Sequence, residues 1–88
     1  MKKLNVTVKS ESGLHARPAG LLVRLTKQFR SNIEIEKEGT RVNAKSIMGI
    51  LSLGTSKGDT LTIMADGDDE GNAITALEDL FVNKLAHE

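Results

Sequence analysis

Residues Gly13–Pro18, with the sequence GLHARP, mark the place where a strand ends and a helix begins. Gly13 permits the left-handed backbone with which a strand can close. Pro18 has a preset φ and no amide hydrogen to lose, so it suits the first turn of a helix. The six residues therefore predict a helix that begins near Ala16, with His15 immediately before it.

His15 stands at the mouth of this predicted helix, where an anion is favoured. The first amides of a helix have no partner within it and carry the positive end of the helix dipole. The neutral imidazole that is present near physiological pH has a lone pair and can act as a nucleophile. Arg17 adds a planar cation that can hold phosphoryl oxygens. This grouping predicts phosphoryl transfer, and the alternative is that His15 is an ordinary surface or capping residue.

Apolar periodicity on both sides of this site predicts four strands and three helices. The strands are centred on Leu4–Val8, Ile33–Ile35, Val42 and Leu61–Ala65, with a hairpin turn at Glu38–Gly39. The first helix has a buried stripe of Ala19, Leu22, Val23, Thr26 and Phe29. The last helix follows the acidic residues Asp68, Asp69 and Glu70 and buries Ala73, Ile74, Leu77, Leu80, Phe81 and Leu85.

This order of elements predicts one α+β domain over residues 1–88. We expect a two-layer open-faced β-sandwich, in which a four-stranded antiparallel sheet carries three helices on one face. The other face of the sheet is predicted to meet water, because polar residues alternate along the strands. These residues are Asn5, Thr7, Glu34, Glu36, Thr60 and Thr62.

A short second helix, predicted from Ser46 to Leu53 and ended by Gly54, has more apolar residues than one face can bury. Ile50 and Leu53 are the predicted core residues. The remaining apolar residues predict an exposed docking patch for acidic partner proteins, and the alternative is that all of them are core. The docking patch consists of Leu21, Ile47, Met48 and Leu51, with a basic rim of Arg24, Lys27 and Lys45.

Ser46 has two compatible roles at the start of this second helix. Its hydroxyl can cap the helix by accepting a hydrogen bond from a backbone amide. A phosphate added at Ser46 would gain favourable contact with the helix amides and would place about two negative charges beside the docking patch. Ser46 is therefore a candidate regulatory phosphorylation site.

The composition excludes several classes of function. No cysteine is present, so the chain has neither a disulfide nor a thiolate metal site. Twelve basic and twelve acidic residues cancel, and Phe29 and Phe81 are the only aromatic residues, which argues against nucleic-acid binding. The start of the chain lacks the apolar run of a signal peptide, and no segment has membrane-spanning length. We therefore expect a cytoplasmic protein without membrane insertion.

Two further patterns imitate ligand-binding loops but lack an essential residue. Gly49–Ser56 spaces its glycines like a nucleotide-binding loop, yet Thr55 stands where the lysine belongs. Asp66 opens a segment like a calcium loop, whose twelfth position is Leu77 instead of glutamate. His87 has no motif around it, so we assign it no role, and we predict neither a metal site nor a cofactor.

Two segments, Gly13–Ala19 and Lys45–Gly49, resemble the active-site and regulatory-serine signatures of the HPr family. HPr is the histidine phosphocarrier of the bacterial phosphoenolpyruvate:sugar phosphotransferase system, and the resemblance covers essentially the whole chain. It implies the strand order 1-4-2-3 and a phosphocarrier that is not an enzyme, expected here as a monomer. It also implies that Nδ1 of His15 accepts a phosphoryl group from enzyme I and passes it to IIA components. Arg17 and the backbone amide of Ala16 would assist at the phosphoryl group.

The segment around Ser46 resembles the branch of the family found in low-GC Gram-positive bacteria. In that branch an HPr kinase/phosphorylase modifies the matching serine, and the product acts with a catabolite-control transcription factor. One alternative is a mainly regulatory paralogue that works through Ser46 or in a nitrogen-type phosphorelay, although the presence of His15 argues against paralogues that have lost this histidine. Another alternative is a small α/β phosphatase that binds phosphate through Arg17.

Overall fold

A computed structural model describes residues 1–85 of the chain, so the expectation for His87 lies outside the described residues. The elements follow the predicted order. They are β1 Lys2–Thr7, α1 Ala16–Thr26, β2 Asn32–Lys37, β3 Thr40–Asn43, α2 Ile47–Ser52, β4 Thr60–Asp66, α3 Glu70–Asp79 and a π-helical turn Leu80–Lys84 that continues α3.

The four strands form one antiparallel sheet in the order β1-β4-β2-β3, which confirms the expected topology. Ile63 on β4 pairs with Ile35 on β2 and Leu4 on β1, so the apolar residues of neighbouring strands lie side by side. The turn between β2 and β3 consists of Glu38 with φ 49° and Gly39 with φ 86°. Two consecutive left-handed residues match the twist of the strands that they join, which confirms the predicted hairpin.

The core lies between the inner face of the sheet and the three helices. Most of the alternating strand residues that were predicted to point inward are buried there, and so are one stripe of α1 and one side of α3. Leu4 and Val42, on the two edge strands, are half-buried and pack against this core. Removing each large aliphatic side chain from water contributes about 1.5–3 kcal/mol to folding. The fully buried residues include Ala19, Leu22, Ile33, Ile35, Ile50, Leu61, Ile63, Ala65, Ala73 and Leu77.

Two details of the helix predictions are wrong. The helix α1 ends at Thr26, so Phe29 lies beyond it and is half-buried at the edge of the core. The last helix is not α-helical throughout, because the turn from Leu80 widens until the Leu85 amide donates to the Leu80 carbonyl. Residues five apart point about 140° away from each other in an α-helix. The wider turn thus accompanies the burial of both Leu80 and Leu85. Ile74, which was predicted to be buried, is half-buried.

Glu70 lies in the first turn of α3, as predicted, whereas Asp69 has contacts that the sequence did not indicate. Asp69 occupies the N-cap position without a side-chain cap bond. Its carboxylate instead accepts hydrogen bonds from the amides of Arg30 and Ser31, at 2.9 and 3.0 Å, and from the Ser31 hydroxyl at 2.5 Å. These bonds, that of the Ser31 hydroxyl above all, lower the pKa of Asp69 to about 2. The carboxylate thereby joins the end of the α1–β2 connection to the start of α3.

The outer face of the sheet is polar at its rim and holds one buried apolar residue. Met64 is 3% exposed although it points away from the core cluster. Its register partners are Lys3 on β1 and Glu34 on β2, whose side chains lie on the same face of the sheet. Within residues 1–85, no helix is long and apolar enough to cross a membrane.

Candidate functional site

His15 is the last residue before α1, and its side chain is exposed. Its backbone is extended, with φ −87° and ψ −168°, and its side chain makes no hydrogen bond that caps the helix. The first hydrogen bond of the helix runs from the Ala19 amide to the His15 carbonyl, at 2.9 Å. The backbone of His15 therefore makes the first hydrogen bond of the helix, while its imidazole ring does not cap the helix.

The backbone amides of Ala16 and Arg17 lie at the mouth of α1, ahead of the first internal hydrogen bond at Ala19. Pro18 has no amide hydrogen, so these two residues supply the N–H groups of the first turn. Ala16 and Arg17 are exposed, whereas Pro18 is buried and holds the turn against the core. A helix start of this kind attracts anions, because the amide dipoles add to the charge of the Arg17 guanidinium.

The loop before His15 contacts Thr55, a residue that no functional motif of the sequence includes. The amide of buried Leu14 donates to the Thr55 hydroxyl at 2.8 Å. Gly13 has φ +68°, and a Cβ atom on it would lie 2.2 Å from the Thr55 carbonyl oxygen. Leu14 and Thr55 are 41 positions apart in the sequence, so no local pattern could have revealed this contact.

Ser46 caps α2 in the predicted manner. Its backbone is extended, with φ −117° and ψ 118°, and its Oγ accepts a hydrogen bond from the Gly49 amide at 3.1 Å. The Ile50 amide donates to the Ser46 carbonyl at 3.0 Å, which begins the internal bonding of the helix. The Ser46 hydroxyl, the predicted phosphorylation site, is thus also the atom that caps the start of α2.

The three docking-patch residues on α2 are exposed. Met48 is 77% exposed, Ile47 43% and Leu51 37%, whereas Ile50 and Leu53 are buried in the core. The split between exposed and buried residues agrees with the predicted division of this helix. A cluster of exposed apolar side chains on a short helix is typical of a protein-binding surface.

The α1 side of the docking patch differs from its α2 side. Leu21 is half-buried and packs against the core, and it lines a shallow groove with Arg24, Leu80 and Lys84. The helices α1 and α2 pack against each other, so both sides belong to the helical layer. The α1 residues therefore offer a groove, while the α2 residues offer protruding side chains.

The cationic side chains at the rim of the docking patch differ in their contacts. Arg24 and Lys27 are exposed on α1 and at its C-terminal end. The Lys45 ammonium instead donates to the Phe29 carbonyl at 2.8 Å, which ties the segment after α1 to the residue before Ser46. Lys45 thus has a structural bond in addition to its charge.

The described residues offer no site for a metal ion. Among residues 1–85, no group of three or more His, Cys, Asp or Glu side chains is arranged to hold one. Asp66, Asp68 and Glu70 instead meet cations of the chain itself: the amino terminus lies 3.3 Å from Glu70 and 3.8 Å from Asp66, and Arg30 lies 4.0 Å from Asp68.

Comparison with known proteins identifies the family. The family model described as "PTS HPr component phosphorylation site" matches residues 2–83. The chain is 49% identical over 77 residues to the HPr-like protein Crh of Halalkalibacterium halodurans, which covers 88% of this chain and 92% of that protein. The fold and these matches place the chain in the class of small α+β phosphocarrier proteins. It belongs to the HPr family.

Two solved structures show how close the fold is to that of relatives. An HPr from Thermoanaerobacter tengcongensis is similar with a TM-score of 0.94 and 50% identity, over 100% of this chain and 99% of that chain. Crh from Bacillus subtilis, described as a swapped, intertwined dimer, is similar with a TM-score of 0.75 and 41% identity over 100% of both chains. The sequence similarity thus extends to an HPr and to a Crh protein alike.

Proposed function

We propose that this protein carries phosphoryl groups in the phosphoenolpyruvate:sugar phosphotransferase system. His15 accepts the group on Nδ1 from phosphorylated enzyme I and passes it to IIA components for sugar uptake. The observation that carries this proposal is the exposed His15 side chain, which stands at the extended start of α1 without capping it.

The chemistry needs one nucleophile and a few donors on this chain. The lone pair of Nδ1 attacks phosphorus, an N–P bond forms, and the bond from phosphorus to the donor breaks. The amides of Ala16 and Arg17 and the Arg17 guanidinium meet the charge on the transferred oxygens. A nucleophile of the acceptor protein then displaces His15 from phosphorus, which restores the free ring.

Partner proteins supply what this chain lacks, so the protein acts as a carrier and not as an autonomous enzyme. Enzyme I and the IIA components bring the remaining groups for transfer, and they bind at the docking patch beside the phosphoryl site. The exposed apolar residues Ile47, Met48 and Leu51 give the contact area, and the cations of α1 attract acidic surfaces.

Phosphorus NMR after incubation with phosphoenolpyruvate and enzyme I tests the proposal. We expect the wild type to form an acid-labile phosphohistidine at Nδ1, and His15→Ala to form none. His87→Ala removes the other histidine of the chain and is the matched control, which should label normally. Normal labelling of His15→Ala contradicts the assignment, and steady turnover of an acyl phosphate by the wild type alone would indicate a phosphatase instead.

A mainly regulatory function is the second candidate, because the chain is 49% identical to the HPr-like protein Crh and its Ser46 caps α2. In this case an HPr kinase/phosphorylase modifies Ser46, and the product binds a catabolite-control transcription factor. A nitrogen-type phosphorelay is a further form of the same candidate. In the carrier, enzyme I phosphorylates His15 rapidly. In the regulatory protein, the kinase phosphorylates Ser46, and His15 receives phosphate from enzyme I slowly.

The same NMR spectra separate the two candidate functions. A carrier forms phosphohistidine rapidly with enzyme I, whereas a regulatory protein forms phosphoserine with ATP and the kinase and is a poor acceptor from enzyme I. Ser46→Ala should abolish the phosphoserine signal. Ser52→Ala is the matched control, because Ser52 lies on the same helix and its hydroxyl donates to the Gly49 carbonyl at 2.6 Å.

A further inference from the structure

We infer that Thr55 is a positioning residue, which fixes the backbone immediately before His15 for phosphoryl transfer. This inference rests on the proposed role of His15 as phosphoryl acceptor. Thr55 lies in the loop between α2 and β4 and is half-buried. It makes contact with the two residues that precede His15.

Thr55 holds the His15 loop by two different contacts. Its hydroxyl accepts the hydrogen bond from the Leu14 amide at 2.8 Å, so the peptide bond that precedes Leu14 has a fixed plane. Its carbonyl oxygen occupies the space where Gly13 would carry a Cβ atom, 2.2 Å from that position. The backbone of Gly13 therefore lies directly on the backbone of Thr55, and His15 follows one residue after the hydrogen-bonded amide.

The loop that carries Thr55 is itself held in place. The half-buried Lys37 donates to the Gly54 carbonyl at 2.8 Å and forms an ion pair with Asp59 at 3.0 Å. The Asp59 carboxylate also accepts a hydrogen bond from the Ser56 amide at 2.8 Å. The bond from Ser56 and then that from Lys37 lower the pKa of Asp59, so the carboxylate stays charged at neutral pH. Thr55 is thus flanked on both sides by anchored residues.

The hydroxyl of Thr55 matters because Leu14 is buried. The hydrogen bond from the Leu14 amide is partly buried, and loss of its acceptor is unfavourable. A side chain of the same shape without a hydroxyl would leave the Leu14 amide without this acceptor. The loop would then shift to reach water, and the shift would displace His15 relative to the amides of Ala16 and Arg17. Phosphoryl transfer depends on alignment of the nucleophile, so this displacement lowers the rate of the chemical step.

Three substitutions test this inference. Thr55→Val removes the hydroxyl and keeps the shape of the side chain, and Thr55→Ser keeps the hydroxyl. Thr62→Val is the matched control, because the Thr62 hydroxyl bonds the Asn5 side chain at 2.9 Å on the outer face of the sheet. Hydrogen exchange of the Leu14 amide reports the contact in the unphosphorylated protein, and initial rates with phosphorylated enzyme I report the transfer.

For Thr55→Val we expect exchange of the Leu14 amide to accelerate about tenfold, as the loss of one hydrogen bond predicts. We expect kcat for transfer to fall by about fivefold to tenfold, with little change in KM, because docking residues are untouched. Thr55→Ser should restore both quantities to within about twofold of the wild type, since it keeps the hydroxyl. Thr62→Val should leave Leu14 exchange and kcat unchanged.

Several outcomes would overturn the inference. Unchanged kcat in Thr55→Val would show that the contact does not position His15. An equal loss of kcat in Thr62→Val, or no rescue by Thr55→Ser, would show a general effect on stability. If the wild type itself accepts no phosphate from enzyme I, the proposed function fails and this inference fails with it. A labelled wild type combined with normal transfer by Thr55→Val removes only the role of Thr55.

Discussion

The division of α2 into core and docking residues gives a sharp paired test with Ile50→Ala and Met48→Ala. Ile50 is fully buried, so its truncation removes buried carbon atoms and leaves a cavity, at a cost of about 2–5 kcal/mol. Met48 is 77% exposed, so the same change should alter the free energy of unfolding by about 0.5 kcal/mol or less. The two variants sit on the same short helix, two residues apart, and are therefore matched.

Thermal unfolding followed by circular dichroism measures the first difference. One kcal/mol shifts the melting temperature of a domain of this size by about 4–8 °C. We therefore expect Ile50→Ala to lower the melting temperature by at least about 8 °C, and Met48→Ala to change it by less than about 4 °C.

Transfer kinetics measure the second difference. If Met48 contacts enzyme I, Met48→Ala should raise KM for phosphoryl transfer by about fivefold, as expected when an interface residue contributes about 1 kcal/mol to binding. Its kcat should not change, because Met48 does not touch the phosphoryl group. A melting temperature as low as that of Ile50→Ala would refute the assignment of Met48 to the surface. An unchanged KM would refute its role in docking.

Three other predictions concern Ser46, Gly13 and Asp69. Ser46→Asp should slow transfer from enzyme I more than Ser46→Ala, because it adds negative charge beside the docking patch, and equal initial rates would exclude this electrostatic effect. A left-handed backbone costs a residue with a Cβ atom about 1–2 kcal/mol. Gly13→Ala should lower the free energy of unfolding in urea by more than this, since its Cβ would also meet Thr55. Gly54→Ala, with φ +62° and open space, isolates the backbone cost, so equal losses would exclude the contact. Asp69→Asn should lower the melting temperature at neutral pH. The pKa of Asp69 is about 2 when folded, against 3.8 ordinarily, so this difference from the wild type should shrink as pH falls from about 4 towards 2, and a constant difference would contradict the role of the charge.

Local features of the fold could be predicted because their causes lie within a few residues. The start of α1 follows from Gly13 and Pro18. The cap of α2 follows from Ser46, which accepts a hydrogen bond from the amide three residues later. The hairpin at Glu38 and Gly39 needs only two residues with left-handed backbone. Strand alternation likewise identified the core face, because successive side chains of a strand point to opposite sides.

Contacts between distant segments could not be predicted in this way. Asp69 was expected to favour the start of α3, yet its carboxylate turns to Ser31, 38 positions earlier in the chain. Lys45 was expected on an open rim, and its ammonium is bonded to the Phe29 carbonyl. In each case a polar side chain had several possible partners, and the packing of the helices on the sheet selected one.

The amino-acid sequence alone thus predicted the order of the elements and most of the buried positions, because periodicity and capping act over one or two turns. It also singled out His15 and Ser46 as candidate residues. The strand order came from family resemblance, and the support of His15 by Thr55 came only from the folded chain. That support depends on bringing residues 41 positions apart to within 2.8 Å. No local preference encodes such a distance, since it arises only when the sheet and its helices have packed.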